Sequence, residues 1–491
     1  MIQFFYYRSL YSQSASSLSV AKFSSYLLSR GYETKINLMS LEDYGVNMKA
    51  FESLKDGDTV IYKVNYKDFD YGIELFRNLK ETHKNLKLIL AGPFAILNRD
   101  KIEAKYDFVD EILDIQLPET LDERFKVIGK PVQKDTVVCG IDRETEAAEK
   151  GAYINVESST GCVNHCSFCH INLTKQKFSN KDMKDVVEEM YQLNKKFGKT
   201  YFIFNDSMFY KGVKDDERVI EFCNLIKEKK MKVYFYIYLA IQPQIPEHLL
   251  DMLVEAGLVR VFVGVESITG ELQINNKKNV SEESADKFLK LLSSKGVSYH
   301  IGFMLFYPEI ALKSVKVNVD YLHKIKKLFR IGILIEKMRI LRFSPNSNIL
   351  YEDDIRVDQV YNYHFYDKET EKVFNVVKEY FSHINERHFE QYLTGYNIAV
   401  TVIKREGKEK QYKKYIENYN KMVDESNDFV YEKLLEIIKT KTYTREMVIA
   451  LKNLQYRLEA YYSSFMNELK KNDEDIFKIV PLGKEDLNFW K

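Results

Sequence analysis

Cysteine is too scarce here to frame the fold. The 491 residues hold five, with Cys139 and Cys223 isolated and Cys162, Cys166 and Cys169 crowded together, so a disulfide scaffold is excluded. An excess of charge of one sign is also lacking. Lys+Arg 73 against Asp+Glu 72 leaves a net charge of +1, and no global field draws the chain to nucleic acid or to an anionic membrane. No uncharged apolar run reaches the roughly 18 residues that a membrane span needs. The opening MIQFFYYRSLYSQSASS lacks the basic start and apolar stretch of a signal peptide, so a cytoplasmic location is expected. Tryptophan is represented by Trp490 alone, whereas tyrosine (35) and phenylalanine (31) are abundant. The length implies two or three domains.

What is present centres on Gly161 to His170, G-C-V-N-H-C-S-F-C-H. The three cysteines follow a C-x3-C-x2-C spacing with no fourth at ligand distance. Four thiolates would complete a structural zinc or an electron-transfer cluster. Three can hold a [4Fe-4S] cluster and leave one iron open for a ligand. A zinc knuckle completed by His165 or His170 stays open at this point, since imidazole can replace thiolate.

The flanking sequence alternates between strand and helix patterns. In residues 1–145 strands are expected at Met1–Tyr7, Tyr32–Leu38, Thr59–Val64 and Leu86–Leu90, separated by helical stretches such as Ser16–Arg30 and Phe69–Glu81. That order predicts a doubly wound, Rossmann-like parallel sheet, which binds ligands beyond the carboxyl ends of its strands. In residues 146–350 the alternation restarts, with strands at Ala152–Glu157, Tyr201–Phe204, Lys232–Tyr238, Val259–Val263, Tyr299–Phe306 and Glu336–Phe343. Six such units predict a partial (β/α)6 barrel whose catalytic residues sit at the strand C-termini, where the cysteine loop lies. Residues 351–491 read as a mainly helical domain with no further cysteine.

The cysteine spacing, with Phe168 just before the third cysteine, resembles the signature of the radical S-adenosylmethionine (SAM) enzymes. That resemblance implies that Cys162, Cys166 and Cys169 ligate a [4Fe-4S] cluster whose open iron chelates SAM. It extends across the central domain. Asn205-Asp206-Ser207-Met208-Phe209 is similar to the family's phrase after the second strand, implying that Asp206 or Ser207 meets the methionine end of SAM. Gly264-Val265-Glu266-Ser267 is similar to the G-x-E-S phrase, implying a SAM contact for Glu266 and close backbone approach at Gly264. Arg339 or Arg342 on the last strand is implied to meet the SAM carboxylate, with a salt bridge within the barrel as the alternative.

The first 145 residues resemble the cobalamin-binding domain of one large subfamily, through "SRGYET" and "LILAGPFA". Gly92 would then face the corrinoid tail, and Asn65 would lie beside the corrin. No Asp-x-His-x-x-Gly motif offers a lower cobalt ligand. The resemblance as a whole implies a cobalamin-dependent C-methyltransferase acting on an unactivated carbon through a 5'-deoxyadenosyl radical and methylcobalamin. The alternative is cyclisation, rearrangement or oxidation on the same scaffold, with a vestigial cobalamin domain. A small-molecule or peptide substrate and an external electron donor such as flavodoxin or ferredoxin are the expected partners, with no membrane and no nucleic acid.

Overall fold

The protein is described from a computed structural model, which covers residues 1–8, 18–29, 31–42, 45–46, 51–64, 69–113, 153–164, 166–169, 171, 178–198, 200–270, 280–341, 360–361 and 363–480. Its first layer contains β1 (Ile2–Arg8), α1 (Leu18–Ser29), β2 (Thr34–Glu42), β3 (Gly45–Val46), β4 (Thr59–Lys63), α2 (Phe69–Thr82), β5 (Lys87–Ala91), α3 (Pro93–Leu97), α4 (Arg99–Lys105) and β6 (Glu111–Leu113). The sheet order is β3-β2-β1-β4-β5-β6. All pairings are parallel except the short β2–β3 turn-back. Strands β4 and β5 are apolar on both faces, as buried parallel strands must be. One face packs Phe5, Val60, Tyr62 and Leu90 against α2, the other packs Phe4, Ile61 and Ile89 against α1. The chain reverses direction across the sheet between β1 and β4, the crevice where doubly wound folds take their ligands.

The second layer contains β7 (Ile154–Val156), β8 (Ser159–Thr160), β9 (Ser179–Asn180), α5 (Met183–Phe197), β10 (Tyr201–Phe204), α6 (Asp216–Glu228), β11 (Tyr234–Leu239), α7 (Glu247–Ala256), β12 (Leu258–Glu266), α8 (Glu282–Ser294), β13 (Ser298–Phe303), α9 (Leu312–Lys324), α10 (Ile331–Ile335), β14 (Ile340–Leu341) and β15 (Val360–Tyr361). Strands β7, β10, β11, β12 and β13 form one parallel sheet in sequential order. The helices obey local rules. Helix α5 starts where Asp182 accepts the Lys184 N–H at 2.8 Å, and Val186, Val187, Met190 and Leu193 line its buried stripe. It ends at Gly198 in the left-handed region, a common stop. Helix α8 opens on a reciprocal Ser281–Ser284 capping box.

The sixth strand is shorter than its sequence suggests. Parallel continuation past β13 is a single bridge, Phe306 to Lys337. Beyond it Ile340–Leu341 pairs antiparallel with Val360–Tyr361. The bridge forms as Met338 N–H donates to the Phe306 carbonyl at 2.6 Å, after which the β15 segment takes the place of a barrel neighbour.

Helices α11 (Lys368–Phe381), α12 (Glu386–Arg405), α13 (Lys413–Thr440), α14 (Arg445–Asn472) and α15 (Glu474–Ile479) complete the described residues. They share cores with the barrel. Phe374, Val377 and Leu434 join the outer core, while Tyr396, Val400 and Phe465 pack on Tyr201 and Tyr236 from the inner side. Arg405 donates to the Leu258 carbonyl at 2.7 Å, which fixes the end of α12 at the start of β12. Both expected domain boundaries, near 145 and 350, lie outside the described residues.

Tight packing in the first layer is testable at Gly72 on α2. A Cβ there would stand 2.1 Å from the Tyr62 hydroxyl, and Tyr62 is buried. Gly72→Ala is expected to cost about 1–3 kcal/mol by overpacking. The expected readout is a lower first thermal transition in calorimetry.

Candidate active site

Strand β7 delivers the chain to Glu157, and the cysteine loop leaves and returns through the antiparallel ribbon β8–β9, with Ser159 opposite Asn180. Cys162, Cys166 and Cys169 are half-buried thiols. The Asn164 N–H donates to Cys162 Sγ at 3.4 Å, and the Cys169 N–H donates to the Cys166 carbonyl at 3.1 Å. His165 and His170 lie outside the described residues. Phe168 is half-buried and packs against the outer core. Among the described residues no three His, Cys, Asp or Glu side chains converge on a single ion.

The loop's stem is pinned from the end of β10. Phe204 pairs with Val156, and Asp206 follows two residues on. Its carboxylate is 1% exposed and accepts from four donors: Ser158 N at 3.0 Å, Ser158 Oγ at 2.9 Å, Ser159 Oγ at 2.7 Å and Ser159 N. Burial pushes the Asp206 carboxyl up, against the pull of those donors and of the Arg218 cation. From α6, Arg218 donates to the Ser158 carbonyl at 3.1 Å, to Ser158 Oγ, and to the Phe209 carbonyl at 3.0 Å. Next to Asp206, Ser207 Oγ donates to the Gly161 carbonyl at 2.8 Å.

These contacts change the reading of two residues. Asp206 and Ser207, expected at the methionine end of SAM, are turned instead toward the stem of the cysteine loop. They position the loop. A buried carboxylate needs hydrogen-bond donors, and here the stem supplies them. Arg218, Ser158 and Ser159 escaped the sequence reading because no local pattern marks an arginine on α6 as a neighbour of β7.

On β12 the G-x-E-S phrase has a specific geometry. The β12–β13 register slips between Gly264 and Glu266, and Glu266 takes φ +65°, the left-handed region. Backbone strain of this kind costs of order 1–3 kcal/mol and collects at functional sites. The Glu266 carbonyl accepts from Met304 N–H at 2.6 Å. Its carboxylate faces Gly302, where an added Cβ would come within 3.4 Å of Oε2 and 2.7 Å of the Phe262 ring. Behind it, Asn318 on α9 binds Ser267 Oγ at 3.2 Å and receives the Ile268 N–H at 3.3 Å.

The remaining expected residues are spread more widely. The Arg339 side chain is 43% exposed and bridges Glu336 at 3.1 Å, a surface ion pair rather than a pair within the barrel. Gly92 follows β5 at φ +102°, and a Cβ there would stand 3.2 Å from the Val64 carbonyl. The fold itself therefore requires that glycine. Asn65 and Arg342 lie outside the described residues.

A charged network ties the two layers together beside the stem. Lys22 of α1 bonds Glu157, and Lys181 reaches the same carboxylate at 2.8 Å. Glu157 is held below the usual glutamate range by both lysines despite its burial, while burial pushes nearby Glu189 up.

Three half-buried thiols on a loop pinned at both ends fit a three-cysteine [4Fe-4S] cluster by their chemistry. Loosening the pin is expected to weaken retention of the cluster. Asp206→Asn keeps an acceptor but turns an amide N–H₂ toward donors, a cost of about 1–3 kcal/mol. The measurement is iron per chain after anaerobic reconstitution and desalting, with Asn205→Ala as an exposed neighbouring control.

Residues 156–322 match the radical SAM superfamily. Among curated relatives, the match to a ribosomal protein methylthiotransferase of Dictyoglomus thermophilum is 22% identical over 171 residues. It covers 32% of this chain and 38% of the relative. The match to the 4'-phospho-dehydrooxetanocin synthase of Priestia megaterium is 24% identical over 197 residues, 36% of this chain and 26% of that protein. The chain thus spans well under two thirds of the length of either relative. Among solved structures, the cobalamin-dependent SAM radical enzyme OxsB, with aqua-cobalamin bound, superposes with a TM-score of 0.63. At 15% identity the superposition covers 99% of this chain and 83% of that one. The central part of the chain, residues 156–322, is therefore a radical SAM domain, set within a fold that matches most of a cobalamin-dependent radical SAM enzyme.

Proposed function

We propose that the protein is a cobalamin-dependent radical SAM methyltransferase acting on an unactivated carbon of a small-molecule or peptide substrate. The observation that carries the reading is the pinned three-cysteine loop at the C-terminal end of a barrel strand, downstream of a doubly wound sheet. When bound, the cluster supplies the electron that cleaves SAM, and the corrinoid supplies a transferable methyl group.

The chain's own residues do the positioning. Asp206, Ser207 and Arg218 hold the loop that carries the thiolates. Glu266, aimed over the bare backbone of Gly302, accepts hydrogen bonds from the SAM cosubstrate. Tyr238, Phe262 and His300 line the inner wall and keep water from a radical intermediate. In the first layer, the sheet's C-terminal edge beside Gly92 is where a corrinoid tail would lie. The electron comes from an external donor such as flavodoxin or ferredoxin.

A second reading, cyclisation, rearrangement or oxidation without methyl transfer, is favoured by the likeness to a synthase whose name specifies no methylation. One experiment separates the two. After anaerobic reconstitution with hydroxocobalamin and desalting, the methyltransferase reading expects one corrinoid per chain and a product heavier by one methylene unit. Iron without corrinoid overturns it.

Two variants test the site. Cys169→Ser is expected to lose cluster iron and all reductant-dependent 5'-deoxyadenosine. Glu266→Gln keeps the shape but removes the charge from hydrogen bonds to SAM. It is expected to raise the KM for SAM about tenfold, the equivalent of about 1.4 kcal/mol, with iron content unchanged.

A further inference from the structure

The inner side of the barrel gathers positive charge that the fold itself does not neutralise. The middle of strand β12 alternates between its two faces. Val261 and Val263 join the outer helices, whereas Arg260 and Phe262 face inward. Arg260 is 7% exposed, its Nε has no hydrogen-bond partner, and its guanidinium lies 5.6 Å from the centre of the Tyr236 ring. Around it stand His300 from β13 and Lys327 and Arg330 from the segment after α9. Arg330 also has an unpartnered buried Nε. Lys327 donates to the Tyr299 carbonyl at 3.3 Å and sits over that ring.

Among the described residues one carboxylate comes within ion-pair reach of these cations: Glu390 of α12, 3.6 Å from Arg330. Its other oxygen accepts the Gly332 N–H. The electrostatic cost is visible in the neighbours. Burial together with Arg260 and Arg330 pushes Lys327 down to about 7. Burial with Arg330, Arg260 and Lys327 holds His300 well below the usual histidine range. Yet His300, Lys327 and Arg330 all keep accessible surface. An unmatched buried charge is expensive, so a cluster that is both costly and accessible is poised for an anion.

We propose that the concave side of the barrel binds an anionic group of the substrate, and that Arg260, Lys327 and Arg330 form the seat of a phosphate monoester. With Lys327 protonated, as a bound dianion favours, three cations against one carboxylate leave two positive charges to match, the charge such an ester approaches near pH 7. A carboxylate would leave one unmatched. Guanidinium forks suit phosphate oxygens in pairs. Beside the seat, Tyr236, Tyr238 and Phe262 stack and His300 tilts against Phe262, with neighbouring centroids 5.5, 4.8 and 5.1 Å apart, an aromatic wall for the body of the molecule. Arg260 and Glu266 stand six positions apart on β12, at most about 20 Å of strand. The ligand is therefore a phosphorylated small molecule with an extended body, whose far end reaches the level of Glu266. The role of that far end rests on the radical SAM reading; the anion seat does not.

The test uses the full reconstituted chain, with inorganic phosphate as probe and acetate as comparison, read by calorimetric titration and thermal shift. Phosphate is expected to bind saturably and raise the Tm. Arg260→Met and Lys327→Met should each weaken it about tenfold or more. Arg260→Met should also raise the Tm in phosphate-free buffer, because it removes an unmatched charge. No phosphate binding, unchanged affinity in both variants, or tighter binding of acetate would overturn the proposal. Lys327→Met carries the test if Arg260→Met does not fold. Release of 5'-deoxyadenosine by the wild-type protein, measured without phosphate, tests the radical reading separately.

Discussion

A single carboxylate inside the barrel decides where the reactive loop stands. Asp206 is nearly inaccessible and surrounded by donors from Ser158 and Ser159, so its charge is tolerable while those two residues keep their place. The register of β7 against β10 brings them together. Arg218 then braces Ser158 from the helix behind. The thiols hang from the far side of this stem. Their spacing is a property of ten residues, but their position in space is set by residues 40 to 60 positions downstream.

The barrel's two faces are built on opposite terms. Outward, Phe204, Phe235, Val261 and Ile301 meet the helices in an ordinary apolar core. Inward, Tyr201, Tyr236 and Tyr238 share space with Arg260 and His300, and α12 closes that side from the start of β12. Burying apolar surface stabilises the first face, while the second carries desolvated charge and a left-handed glutamate at a net cost. Such an imbalance is the usual mark of a surface kept for chemistry rather than stability.

Much of this was legible in the sequence, for reasons that also explain what was not. Valine and isoleucine runs such as Leu88-Ile89-Leu90 announce buried parallel strands, and Val186, Val187, Met190 and Leu193 announce a helix stripe. The cysteine triplet and the G-x-E-S phrase are local, so they can be read locally. Asp206 shows the limit. Its position after the second strand was plain, but which way the carboxylate turns depends on hydrogen bonds to Ser158, 48 residues earlier. Arg260, His300, Lys327 and Arg330 come from three separate elements, and nothing in their spacing marks them as neighbours. The sixth strand was overestimated because the apolar pattern of Glu336–Phe343 does not reveal that β15 takes its edge.

The ion network at Glu157 bears on how the molecule can be taken apart. Lys22 belongs to the first sheet's flanking helix, yet its partner is the residue immediately before the stem of the cysteine loop. Cutting the chain to free the barrel would remove one of the two lysines that hold Glu157 ionised and leave Lys181 to serve Glu157 and Glu189 alone. Exposing the edge would also relieve the burial that pushes Glu189 up. An isolated barrel would therefore differ electrostatically from the same barrel in the whole chain, and the sheet at the front of the protein is part of the loop's environment as well as a platform of its own.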